Sequence, residues 1–128
     1  MPPRDCPADL SDLGSPRFVL TVDTEEEFDW AAPFSRSGFG LGHVRAIPRF
    51  QAMCEERGVV PSYLIDYPIA SNGDWIELLG GYAANNRAEI GIQLHPWVST
   101  PFVETVSQYN SYACNLPADL EREKLTTL

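Results

Sequence analysis

The chain has 128 residues, 44% of them hydrophobic, and 9 basic against 18 acidic side chains give a net charge of −9. That length holds one domain with enough apolar residues for a packed core, and it excludes wholesale disorder. Without a cluster of Lys or Arg, the acidic balance excludes the electrostatic footprint of a nucleic-acid binder or of a protein docking on an anionic membrane.

Residues 1–17, with Pro2, Pro3, Asp5, Asp9 and Asp12, read as a flexible leader rather than a secretory signal, because no basic patch precedes an apolar run. No stretch reaches the roughly 20 apolar residues that cross a bilayer, so no membrane span is expected and the cytoplasm is the expected location. Cys6, Cys54 and Cys114 are far apart and form no CxxC pair, which argues against a disulfide framework or a cysteine zinc site.

The first predicted strand is Phe18-Val19-Leu20-Thr21-Val22, a buried β-branched run with Asp23 at its tip. Trp30 to Gly42, with Pro33, Gly38, Gly40 and Gly42, reads as a loop. From His43 to Arg57 the spacing of Val44, Ile47, Phe50, Met53 and Cys54 predicts one helix face, stopped by Gly58. Val59 to Ile65 is the second strand, with Asp66 at its end. Gly73 opens a second helix with Asp74 as its cap and Trp75, Ile76, Leu78, Leu79 and Tyr82 as its apolar side. Glu89 to Leu94 is the third strand, and a last helix follows Pro117, with Leu125 and Leu128 to bury. The order β-α-β-α-β-loop-α predicts an α/β fold, a parallel sheet joined by right-handed crossover helices.

Parallel α/β folds do their chemistry where strands run out, and those tips carry Asp23 to Glu27, Asp66 and His95. Asp23 and Glu25, two apart, point to one side of an extended segment and suit a shared cation or divided acid and base roles. Asp23 closes an apolar run, which sets it apart from Glu26 and Glu27, read as solvated. Gln93 and His95 share that two-residue spacing and face the same centre if the tips converge. Imidazole with carboxylates suits zinc or another divalent first-row metal. Phe28, Trp30, Trp97 and Phe102 follow these residues and offer faces for a sugar ring. The plain structural readings are a solvated acidic loop, a hydrogen-bonded structural histidine and loop packing. No GxGxxG, GxxxxGK[ST] or GxSxG element occurs.

Three segments resemble the polysaccharide deacetylases of the NodB-homology type. Phe18 to Asp23 with Glu25 looks like the family's first motif, in the variant with an acid two positions after the catalytic aspartate. Val59-Val60-Pro61-Ser62-Tyr63-Leu64 is similar to the family's second strand, and Glu89 to Trp97 to its metal-histidine strand, closest to the WalW-like subgroup with "L-H-P-W". The resemblance implies a (β/α) barrel of which 18–128 is the N-terminal part, truncation being an expectation of this reading. It implies a zinc-dependent hydrolase that cleaves the amide of an N-acetylated carbohydrate or small molecule. Asp23 is then the base, Glu25 and His95 are metal ligands, and Gln93, Trp30, Trp97 and Asp66 line the site. Gln93 stands where the family has its first metal histidine and Trp97 where it has the second. By itself the chain is expected to have little turnover, and an incomplete barrel edge predicts self-association. The alternatives are a glycosidase-like enzyme using Asp23 with another acid, and a non-catalytic module that binds carbohydrate or contacts a partner chain.

Overall fold

The computed structural model describes residues 14–15 and 17–128, so most of the leader expected over 1–17 lies outside the described residues. Three parallel strands, β1 (Thr21–Thr24), β2 (Ser62–Ile65) and β3 (Glu89–Ile92), pair in the order β1-β2-β3. The register aligns Val22 with Tyr63 and Ile90, and Thr24 with Ile65 and Ile92. Helix α1 (Ile47–Glu55) links β1 to β2, α2 (Tyr67–Ala70) and α3 (Gly73–Ala84) link β2 to β3, and α4 (Ala118–Thr127) comes last. The protein is thus mixed α/β with a small parallel sheet, as its element order predicts. No helix among the described residues is long and apolar enough to cross a membrane.

Local chemistry explains where the observed elements depart from the expected ones. The helix expected from His43 begins as a 3-10 turn over Gly42–Ala46, and α1 proper starts at Ile47. Pro48 sits in its first turn, the one place where a missing N–H costs nothing. Gly58, with φ +65°, closes it by leaving the chain in the left-handed region. Helix α3 is capped by Asn72, whose Oδ1 accepts from Asp74 N at 3.1 Å, so Asp74 is a first-turn acid and not the cap. The four-residue α2, not foreseen in the sequence, forms because Asp66 caps it and Pro68 supplies a helical φ.

The first strand begins at Thr21, three residues later than expected, and Phe18 and Val19 are exposed. The core gathers Val44, Ile47, Tyr63, Ile69, Leu79 and Tyr82, with Val22 and Ile65 against it. All its strand residues alternate onto one face of the sheet. Asp23, Leu64 and Gly91 share the other face and join no core. Gly91 leaves room there for Leu64, whose Cδ2 would have to move aside for a Cβ placed 2.6 Å from it. At the C-terminal end the expectation of a buried Leu125 fails: Leu125 is exposed and Lys124 is fully buried in its place. A long amine can be buried when oxygen atoms surround it, and here they do.

Candidate functional site

The residues beyond β1, β2 and β3 converge because parallel neighbours in register end at one edge. Glu26 is 2% exposed, Asp66 0% and His95 7%, although all three are ionisable. Asp66 is held from both sides: its Oδ2 accepts from Glu26 N at 2.9 Å and its Oδ1 from Ile69 N at 3.1 Å. It therefore fastens the β1 tip to the start of α2. Glu26 in turn holds the histidine, with His95 Nδ1 donating to Glu26 Oε2 over 2.8 Å. The Trp97 ring stacks on the imidazole at 4.4 Å between centroids.

With Nδ1 engaged, His95 Nε2 turns outward, 3.3 Å from Glu25 Oε2. The Gln93 amide lies between them, donating to Glu25 Oε2 and standing 3.1 Å from His95 Nε2. Its Oε1 is buried without a hydrogen-bond partner. Two donors each about 2.0–2.1 Å from one tetrahedral zinc lie about 3.3–3.4 Å apart, so Glu25 and His95 are spaced as two ligands of one ion. The amide NH2 rests against the same two acceptors that a cation would use. Turning that amide over would present its unpartnered oxygen to the same point.

Glu26, Asp66 and His95 form a second group, with ligand atoms within 4.8 Å of one another. Its atoms are mostly spent, on two backbone N–H groups and on the Glu26–His95 bond, which leaves Glu26 Oε1 alone unpartnered. This inner group orients the outer one, as carboxylates behind ligating histidines do.

Burial would by itself lower the His95 pKa, but the charges of Glu26, Glu25 and Asp66 outweigh it and hold the imidazole above its ordinary value. Burial pushes Glu26 up, yet its hydrogen bond to His95 and the charge of that imidazole prevail and keep it below the usual carboxylate range. Asp66, desolvated and beside the Glu26 carboxylate, is pushed up to about 7. Glu25 is raised by burial, with Glu26 and Asp23 adding like charge. Three acids are thus crowded around one imidazole, and the crowding raises Glu25, Asp66 and His95 together.

An aromatic cavity of about 530 Å³ opens beside His95, walled by Trp30, Phe34, Trp97, Ser111 and Tyr112. Phe28 backs it, in contact with Trp30, Phe34 and Trp97. Trp30, largely exposed, forms the rim, and Trp97 the buried floor.

Each residue singled out in the sequence is thereby placed. Glu25, Gln93 and His95 come together, Asp66 supports them from behind, and Trp30 and Trp97 line the cavity. Asp23 is exposed on the coreless face, near enough to Glu25 to act on it by charge. Phe102 lies outside the cavity, against Arg36 and Lys124. The expectation that Glu26 is solvated is overturned by its burial, and a signal for that existed. Val22 and Thr24 alternate inward, and the same period carries Glu26 inward two residues on. Phe34 and Tyr112 had no such signal, being brought in by loops. His43, exposed, is bonded to Glu27, as a surface role requires. No family model, curated protein or solved structure matches the chain.

Proposed function

We propose that this chain carries the metal centre of a hydrolase of the polysaccharide deacetylase type, cleaving the amide of an N-acetylated carbohydrate. The observation that carries the reading is the 3.3 Å pairing of Glu25 Oε2 with His95 Nε2 at the mouth of an aromatic cavity. Glu25, His95 and, through its amide oxygen, Gln93 would hold a divalent ion, zinc by its donor set. Such an ion, when bound, polarises an amide carbonyl and makes a water acidic enough to attack near neutral pH. Asp23, two residues before Glu25 and open to solvent, would be the carboxylate that accepts a proton from the attacking water. Trp30, Trp97 and Tyr112 offer flat apolar faces for a sugar ring, with Ser107 and Ser111 for its hydroxyls.

The sheet supports the barrel side of the reading. Parallel sheets are ordinarily covered on both faces, and here the strands feed the core from one face only. In a (β/α) barrel the face bearing Asp23, Leu64 and Gly91 turns toward the barrel interior, and further strands complete the wall. Ile90 and Ile92, exposed on the core-side face of β3, support self-association through that face. Sedimentation of the 128-residue chain should then show a concentration-dependent mass.

Elemental analysis after dialysis against trace zinc tests the centre. About one equivalent should remain with the wild type and be lost in Glu25→Ala and in His95→Ala. A metal-free wild type, or retention in both variants, rejects it. A second reading, a binding module, is favoured by the exposure of Trp30 at the rim. It predicts that an N-acetylated oligosaccharide binds equally well with zinc and with a chelator, and that Trp30→Ala alone abolishes binding.

A further inference from the structure

Behind the site lies a group of charges that the metal reading does not use. Lys124, on α4, is 0% exposed. Its Nζ donates to the carbonyls of Pro96 at 3.0 Å, of Ser99, and of Pro101 at 2.7 Å. An ammonium has three N–H groups, and three carbonyl oxygens of one short segment receive them. Glu104 supplies the counter-charge, its carboxylate 3.2 Å from Nζ and 94% buried at the side chain. Arg36 reaches the same residue from the other side, donating to Glu104 O and standing 3.7 Å from its carboxylate. Both cations stand over the Phe102 ring, Arg36 Cζ at 5.0 Å and Lys124 Nζ at 5.6 Å from its centroid.

The segment that Lys124 grips is the one that begins at His95. Pro96–Val98 is a 3-10 turn, and Ser99 Oγ donates back to His95 O at 2.8 Å. Trp97, inside that turn, is the ring stacked on the imidazole. Arg36 leaves the loop that bears Trp30 and Phe34, the opposite wall of the cavity. Hydrophobic packing alone does not account for this arrangement, since a buried lysine destabilises a fold unless every proton is bonded and its charge is met.

We infer that Lys124 is a positioning residue, locking the His95–Pro101 segment so that Trp97 is held against His95. Glu104 and Arg36 extend the lock to the facing loop. A methionine at 124 would fill the space but leave three carbonyls without their donor and Glu104 with Arg36 alone as a counter-charge among the described residues. An arginine would keep the charge, but its planar fork cannot point three hydrogens at three oxygens from one atom.

The inference concerns the same His95 as the metal reading, so its test uses a signal that needs no metal. The chain has two histidines, and in the metal-free protein the ring protons of His95 should be shifted upfield by the Trp97 ring current. In Lys124→Met these signals should move back toward the values of a free imidazole, while those of His43, held by Glu27, stay in place. Zinc affinity, where the wild type binds zinc, should fall about tenfold. A folded Lys124→Met protein with His95 signals at their wild-type positions overturns the inference. So does equal movement of both histidines, which marks a general loss of structure. If Lys124→Met does not fold, Glu104→Gln is read in the same way: displaced His95 signals support the lock and unchanged ones reject it. A wild type that binds no zinc defeats the metal reading alone, since the ring signals still decide this one.

Discussion

Gln51 and Glu26 are buried to nearly the same degree, 1% and 2% exposed, yet their surroundings differ in kind. Gln51 lies beneath the sheet with both of its polar atoms hydrogen-bonded. Its Nε2 donates to Glu55 Oε1 at 2.8 Å and to Arg87 O at 2.9 Å, and its Oε1 accepts from Tyr63 OH at 2.9 Å. At the strand tips, Glu26 Oε1, Gln93 Oε1 and Trp97 Nε1 are buried without partners. The Gln51 network ties β2 to α1 with each polar atom bonded, whereas at the tips the unpartnered atoms stand beside a carboxylate and an imidazole spaced for one cation. The same burial therefore marks structure in one place and a candidate site in the other.

The contrast yields an ordered set of expectations. Gln51→Ala should lower stability by about 2–4 kcal/mol in urea titration, since it strands Tyr63 OH and Arg87 O as well as leaving a gap. Zinc stoichiometry should not change. Loss of the zinc along with the stability would erase the distinction between the two regions.

Glu26→Gln sharpens it from the other side. The amide oxygen can still accept from His95 Nδ1, so the fold should survive with a change of about 1 kcal/mol or less. Zinc affinity, measured by competition with a chelating dye, should fall about 10- to 100-fold as the orienting charge is lost. Unchanged affinity would make Glu26 a structural partner only.

The pH response should also come from the tips. Asp66, raised to about 7 from an ordinary 3.8, favours folding while protonated, and that contribution is lost as pH rises from about 4 to 7. His95, raised above 6.5, adds a loss as pH passes through its folded value. Glu26, held low, contributes above its unfolded value and loses that contribution on acidification. The metal-free protein should thus be about 1–2 kcal/mol less stable at pH 8 than at pH 5. Asp66→Asn should flatten the part of the slope below pH 7, and a slope left unchanged would remove Asp66 as its cause.

The smallest effect belongs to Asp23. Exposed on the coreless face, it should tolerate Asn within about 0.5 kcal/mol, with zinc still bound. A larger destabilisation would show that Asp23 has a structural partner, contrary to its exposure on the coreless face.

The element order was legible because it rests on local rules. Gly58 ends a helix through its left-handed φ, and Pro117 precedes one. The spacing Val44, Ile47, Cys54 marks the buried side of the first helix. Glu25, Gln93 and His95 could be grouped in advance, since alternation along a strand and a shared sheet edge follow from pleat geometry. Glu26 was misread because three consecutive glutamates look alike until the strand's phase is followed through Thr24. Lys124 was beyond reach: helical periodicity near the end of α4 points to Leu125, and only a loop supplying three carbonyls and Glu104 makes burial of an ammonium favourable. The sequence by itself determined the order of strands and helices and which residues stand at the tips, because propensity, capping and alternation act over a few neighbours. Which acid is buried, which nitrogen of His95 turns outward and which helix residue lies inside were decided by tertiary structure, because solvation and charge depend on groups brought together from some 70 residues apart, as in the Glu26–His95 pair with its separation of 69.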